Sequence, residues 1–354
     1  PPASNGCVIF PAQAGPAAEY VMVMVSTSGV ITGPGASGTY NLQGAAVAAT
    51  SPQFSAVVGL PIPTLPHAFH ANLRAREAEL AAGGGIAPAP PVLDPAPPAL
   101  GSQRTFKVCS NLQCNSFSDV PATAKYVGSK VAVYLDNDVP QETPYTQADL
   151  DDLGRTFDLY HHPITGTAFG NASDIDANGV VAVLLTDGVN ALTPDCSNGR
   201  VLGYFFGGDL IPGSAGSNAG EVFYALVPAP ATGNCPAVSR SAAAAAVKGT
   251  LIHEFQHMIS FNQHVLVRQG QSERVWLNEA LSHFAEELGG RLIPDSECQP
   301  AFTSCRSLYT SGNLINAYDY LENPESFYLI SPGSSSGTLE ERGAGWLFLR
   351  WVAD

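Results

Sequence analysis

His253, Glu254 and His257 form a His-Glu-x-x-His string within Leu251-Ile-His-Glu-Phe-Gln-His-Met-Ile-Ser260, and what they can do depends on whether that stretch is helical. Just upstream, Ser239-Arg-Ser-Ala-Ala-Ala-Ala-Ala-Val-Lys248 is rich in strong helix formers, and no proline intervenes before the motif ends. At about 3.6 residues per turn, positions i and i+4 lie about 40° apart on one face, so both imidazoles reach a single metal ion. Glu254 projects about 100° away from His253, where it addresses a ligand on that metal without being one itself. Hydrolysis by zinc needs this division: neutral imidazoles hold the ion, an open position polarises a water, and a carboxylate accepts its proton.

A His₂Glu site needs a third ligand from another element. Ser272-Glu-Arg-Val-Trp-Leu-Asn-Glu-Ala-Leu-Ser-His-Phe-Ala-Glu-Glu-Leu288 predicts a second helix, opening on Ser272 as N-cap and closing at Gly289-Gly290. It carries Glu279 and follows a loop around Gly270.

His-Glu-x-x-His followed by Asn278-Glu279-x-x-Ser282 resembles the gluzincin clan of zinc metallopeptidases, of which thermolysin is the familiar member. The blocks LIHEFQHMI (251–259), WLNEALSHFAEEL (276–288) and GAGWLFLRW (343–351) are similar to the hyicolysin-type neutral zinc metallopeptidases of bacteria. The resemblance spans residues 105–354 and is strong only in these blocks. It implies His253, His257 and Glu279 as zinc ligands and Glu254 as general base. In one place the chain departs from the pattern. Thermolysin-like enzymes carry Asp four residues after the third ligand, supporting a zinc histidine, where this chain has His283. Partners of that kind set imidazole tautomer and basicity, so Glu286 or a backbone carbonyl is expected to take over beside His283. A set with His283 replacing Glu279 would also satisfy zinc.

The same resemblance bears on substrate. Glu221-Val-Phe-Tyr-Ala-Leu-Val227 reads as a strand, and the comparable strand of thermolysin-like enzymes is the sheet edge along which an extended peptide lies. Backbone groups of Val222, Phe223, Tyr224 and Ala225 would then bind substrate by strand addition; an ordinary sheet strand is the other reading. A donor for the developing oxyanion is also required. Tyr318 and Tyr320, in a region with Tyr309 and Tyr328 that shows little regular pattern, are the candidates, against a reading as aromatic core.

The elements around these residues are less sharply marked. Residues 1–62 hold short β-prone runs, and His67 begins a short polar helix to Ala82 on which His67 and His70 are expected at the surface. IAPAPPVLDPAPPAL (86–100) is an extended, proline-rich linker. The organisation expected is a β-rich N-terminal module with its short helix (1–85), a linker (86–103) and a catalytic domain (104–354). If the N-terminal part inhibits, cleavage in the linker would release it. Beyond the linker, residues 104–109 and 125–135 read as strands, and Thr146 to His161 as a helix with Thr146-x-x-Asp149 as capping box. Asp174-Ile-Asp-Ala-Asn-Gly179 opens like a calcium loop through Asp174, Asp176 and Asn178. The position where an EF-hand needs Glu is Leu185. A turn into a central strand, or a calcium site completed by Asp187 or another remote carboxylate, both remain open. His264 is too far along the helix to share the metal of His257.

Composition limits the function classes. Net charge is −15 with 16 Lys+Arg, which argues against nucleic-acid binding and against an anionic membrane surface. No run of eighteen apolar residues exists to cross a membrane. The chain opens on proline without a signal-peptide pattern and stops within an apolar helical pattern, so it is expected to be an excised or mature segment of something longer. Of 7 cysteines, Cys109 with Cys114, Cys196 with Cys235 and Cys298 with Cys305 form plausible local pairs, leaving Cys7 over. Such pairs fit an oxidising compartment, although buried free thiols are the other reading.

The expectation is an α+β chain of zincin type: a mixed sheet packed against the active-site helix, the Glu279 helix closing the site, and a β-rich module ahead of the linker. It would be a secreted bacterial-type zinc endopeptidase using Zn²⁺, with Ca²⁺ as a candidate second ion, acting on protein or peptide, with neither nucleic acid nor membrane span. The alternatives are a catalytically silent secreted binding or surface protein that keeps the fold, and an aminopeptidase.

Overall fold

A computed structural model describes residues 65–82, 96–139, 144–299, 301–331 and 337–354, all within one compact unit, Ser55–Asp354. The β-prone runs of residues 1–62, Cys7 and most of the proline-rich stretch lie outside the described residues.

The first described helix is α1 (Leu65–Ala82). A six-stranded sheet follows, built from β1 (Gln103–Cys109), β2 (Phe117–Val127), β3 (Val131–Asp136), β4 (Val181–Leu185), β5 (Gly203–Phe205) and β6 (Val222–Ala225), in the order β1-β2-β3-β4-β6-β5. The first three strands form an antiparallel meander, β3, β4 and β6 run parallel, and β5 returns antiparallel on the outer side of β6. The single strand expected over 125–135 is in fact a hairpin. Its turn is closed by Gly128 N–H donating to Val131 O at 2.8 Å. Asp158, from a later helix, accepts the N–H groups of Ser129 and Lys130 at 3.0 and 2.7 Å. That distant partner is why the local pattern did not show the break. Central β4, flanked by parallel neighbours, is buried along its whole length, as a two-sided strand must be.

The helices supply the rest. α2 (Gln147–Thr156) has the expected Thr146–Asp149 capping box and continues through a π-helical turn into α3 (His162–Phe169). A short α4 (Asp187–Ala191) follows β4. α5 (Arg240–Phe261), capped by Ser239, carries the His-Glu-x-x-His string, and every residue from Leu251 to Phe261 is buried. Leu251, Phe255, Met258 and Ile259 pack into the main core with the sheet, while Ile252 faces a second cluster with Ala285 and Tyr309. Burial on both sides leaves α5 little freedom to move.

α6 (Val275–Leu292), α7 (Cys305–Glu322) and α8 (Leu339–Ala353) pack together beyond it. Arg274, not Ser272, holds the N-cap position of α6, and the helix does not close at Gly289-Gly290 but runs through both. A Cβ at Gly290 would lie 2.5 Å from Thr310 Oγ1 and 3.2 Å from Arg306 Cα, so this glycine lets α7 approach rather than ending α6. Tyr309, Tyr318 and Tyr320 of the region that looked irregular lie on helical α7, capped by Ser304, and Tyr328 follows it. Disulfides join Cys109 to Cys114, Cys196 to Cys235 and Cys298 to Cys305. Among the described residues no helix is long and apolar enough to cross a membrane. The architecture is mixed α/β, compatible with the α+β class.

Candidate metal centre and its cleft

α5 and α6 bring His253, His257 and Glu279 together: all three are buried, with a ligand atom of each within 4.8 Å of the others. His253 Nε2 lies 3.6 Å from Glu279 Oε2, and His257 Nε2 3.9 Å from Glu279 Oε1. The other ring nitrogens are engaged outward. His253 Nδ1 meets Glu286 Oε1 at 2.6 Å, and His257 Nδ1 is hydrogen-bonded to Asn278 Oδ1, with Ser282 Oγ 3.0 Å away. With Nδ1–H donating to these acceptors, each Nε2 lone pair faces Glu279. Two imidazoles and a carboxylate, with their outer nitrogens held, are a fitting donor set for a divalent metal.

Electrostatics agree with that fit. Neither Glu279 oxygen makes a regular hydrogen bond, although Arg342 Nη1, reaching over from α8, is 2.9 Å from Oε2. Burial pushes the Glu279 carboxyl up, but Arg342 and the two histidines outweigh it and hold it well below its usual value. Burial drives His257 well below the ordinary imidazole range, which keeps it neutral, as a ligand must be. Burial also depresses His253, but the nearby Glu279 and Glu286 carboxylates win and raise it to about 10. The carboxylates thus demand a positive charge at that nitrogen, which a proton or a metal ion supplies.

Glu286, expected as an outer partner, contacts His253 through Oε1. It is held in turn by Asn313 Nδ2 at 3.0 Å. His283 Nδ1 lies 3.2 Å from the same Glu286 Oε1, and its ring packs edge-on against His253. His253, His283 and Glu286 are also grouped closely enough to hold an ion, a set that shares His253 with the first. Asn278, Asn313 and Arg342 escaped the sequence reading. Asn278 sat inside the recognised Asn-Glu-x-x-Ser string, whereas Asn313 and Arg342 left no local signal.

Glu254 is buried beside this group. Its Oε2 accepts the Phe205 N–H at 3.0 Å, and its Oε1 lies 3.4 Å from His70 Nδ1. Burial lifts its carboxyl to about 7, against the lowering influence of His253 and Arg74, a range suited to passing protons near neutrality. A cleft of about 540 Å³ opens on it, lined by His67, His70, Gly203, His253 and Arg342 among others.

Three expectations about this cleft need correction. His67 and His70 are not at the surface: both are buried, 5% and 9% exposed, because α1 lies across the site. Its polar residues find distant partners, Arg74 Nη2 donating to Phe205 O at 2.9 Å and Glu77 Oε1 accepting Gly207 N–H at 3.0 Å. The strand holding Val222, Phe223, Tyr224 and Ala225 is not a sheet edge: β6 is paired on both sides, so the edge falls on β5. Tyr224 instead stacks on Tyr204 and donates to Asp209. Tyr318 is 62% exposed, with its hydroxyl on Glu322 of the same helix, and Tyr320 packs beside Phe327. The tyrosine that does line the cleft is Tyr309, whose hydroxyl meets His161 Nε2 at 2.8 Å. His264 pairs with Glu273 at 3.4 Å, as a histidine outside the metal group.

No protein-family model matches the chain. Over 194 residues it is 30% identical to the neutral metalloprotease ShpI of Staphylococcus hyicus, a match covering 53% of this chain and 40% of that relative. The chain therefore spans well under half the length of the curated relative it matches. The similarity supports a metalloprotease relationship and a protease role in general, and the buried His253–His257–Glu279 group could bind the metal such a role implies.

Proposed function

We propose that residues 104–354 act as a zincin-type zinc endopeptidase domain, secreted into an oxidising compartment, with His253, His257 and Glu279 as zinc ligands and Glu254 as general base. The observation that carries this is the convergence of two inward-facing Nε2 atoms and a buried carboxylate beside a second carboxylate held near neutral pKa. Zinc held there would polarise a peptide carbonyl and acidify a water. Glu254 takes the proton of the attacking water and passes it to the leaving amine. Phe205 N–H fixes the orientation of that carboxylate. Glu286 and Asn278 orient the two imidazoles. The scissile peptide lies extended along the outer edge of β5, where the C=O of Phe205 points away from the sheet. Three disulfides support an extracytoplasmic home.

A second reading has its own observation. α1 occupies that outer edge through Arg74 and Glu77 and sets His70 against Glu254, so this form of the chain is held latent until α1 leaves.

Metal content by mass spectrometry on wild type and Glu254→Gln, with casein hydrolysis on the same preparations, tests the function. About one zinc in both, with hydrolysis in wild type alone, is expected. Zinc in both without hydrolysis in either favours the latent or silent form. No zinc in either after reconstitution overturns the proposal.

A further inference from the structure

The Asp174–Gly179 loop, between α3 and β4, meets the residue that leads into β6. Asp174, Asp176 and Glu221 each place a carboxylate oxygen within 4.8 Å of the other two. The remote carboxylate is Glu221, not Asp187, which sits in α4 beside Asp136. Local donors shape the loop: Gly179 N–H to Asp174 Oδ1 at 3.1 Å, Asn178 Nδ2 to Asp176 Oδ2 at 2.7 Å, and Ile175 N–H to Glu221 Oε1 at 3.0 Å. Asn178 Oδ1 is spent on Val180 N–H at 2.8 Å, so this side chain organises the turn instead of facing an ion.

These donors are neutral, and the positive charge of Arg104 acts on Asp176 alone of the three carboxylates. Glu221 is only 3% exposed, and its Oε2 is buried without a regular hydrogen bond, with the equally buried hydroxyl of Ser173 as its polar neighbour. A buried carboxylate oxygen without a regular hydrogen bond is costly. The nearby Arg104 does not relieve it: its Nη2 donates to Asn218 O at 2.8 Å and its guanidinium lies over the Phe106 ring.

We propose that Asp174, Asp176 and Glu221 form a binding site for a hard divalent cation, Ca²⁺ in particular, separate from the His253–His257–Glu279 centre. The donors are all oxygens, which suits Ca²⁺, Mg²⁺ or Mn²⁺ over the softer transition metals. Ligands on opposite sides of a Ca²⁺ ion, each at about 2.4 Å, are about 4.8 Å apart, and Ca²⁺ tolerates irregular geometry completed by waters and carbonyls. An ion here pins the loop to the sheet, because Glu221 O also accepts the Ala182 N–H of β4 at 2.7 Å. The inference does not depend on the peptidase reading.

The test is calorimetric titration of CaCl₂ into the full chain, with thermal unfolding in parallel. One Ca²⁺ per chain and a calcium-dependent rise in Tm are expected in wild type. Glu221→Gln retains an acceptor for Ile175 N–H, and Asp174→Asn alters an exposed residue. Both should weaken binding by about tenfold or more, while Asp187→Asn binds like wild type. Should Glu221→Gln fail to fold, Asp174→Asn decides. A folded wild type that takes up no Ca²⁺, unchanged binding in Asp174→Asn, or equal loss in Asp187→Asn overturns the proposal.

Discussion

His70 Nδ1 stands 3.4 Å from Glu254 Oε1, so a helix from far upstream rests against the carboxylate proposed as base. Arg74 and Glu77 of that helix, paired with each other at 2.9 Å, also hold the β5 backbone at Phe205 and Gly207. Changing both to alanine removes two anchoring hydrogen bonds of about 1 kcal/mol each without leaving a buried charge unpaired. Casein hydrolysis by the Arg74→Ala/Glu77→Ala protein should rise on the order of tenfold over wild type. Unchanged or lower activity would make α1 a working part of the cleft instead of a cover.

Glu286 and His283 can be told apart by metal affinity. Glu286→Ala frees His253 Nδ1 and should weaken zinc binding by about 10–100-fold in competition with a chromophoric chelator. His283→Ala should bind zinc nearly as wild type does, since its Nδ1 only flanks Glu286. The reverse pattern would assign His283 to the metal.

Glycines on the packed helices should differ sharply in what they tolerate. A Cβ at Gly343 of α8 would sit 2.4 Å from Ala317 N and Asn316 C of α7, while nothing lies within 4 Å of one at Gly312. Backbone cannot give way as a side-chain tip can, so Gly343→Ala should lose about 1–3 kcal/mol in denaturant unfolding. Zinc affinity should fall with it, as adjacent Arg342 shifts from Glu279. Gly312→Ala, in a helix interior, should gain about 0.5–1 kcal/mol.

Asp209 supplies a pH signature. It is buried, accepting from Tyr224 Oη at 2.6 Å and Asn218 N at 2.7 Å. Burial raises its carboxyl from 3.8 to about 7 despite these bonds. Between about pH 4 and 7 the folded chain keeps a proton that the unfolded chain has lost, so stability from this group falls as pH rises through that window. The stability of wild type relative to Asp209→Asn should therefore decline across it, by at most about 1.4 kcal/mol per pH unit, and level off above it. A flat difference would show that Asp209 is ionised throughout.

Local geometry explains what could be read early. The common face of His253 and His257 follows from helical repeat alone, the Thr146–Asp149 cap from neighbouring residues, and the cysteine pairings from short or loop-borne separations. Glycine pairs and tyrosine runs misled because Gly289, Gly290 and Tyr309 answer to α5 and α7, not to their own neighbours. α1 misled further. Its buried face mixes Phe69 and Leu73 with His67, His70, Arg74 and Glu77, and Arg74 finds Phe205 O across 131 positions of chain, so the burial of its polar residues left no local sign.

By itself the sequence determined the donor types, their placement on two helices, the acidic balance and the cysteine inventory, because these are properties of residues and of near neighbours. Only the tertiary structure decided that β5 and not β6 forms the sheet edge, that Asn278 meets His257, that Glu221 joins Asp174 and Asp176, and that α1 covers Glu254. Each of those is a meeting through space of segments far apart along the chain. Chain closure and packing choose such partners, and no periodicity within one segment encodes them.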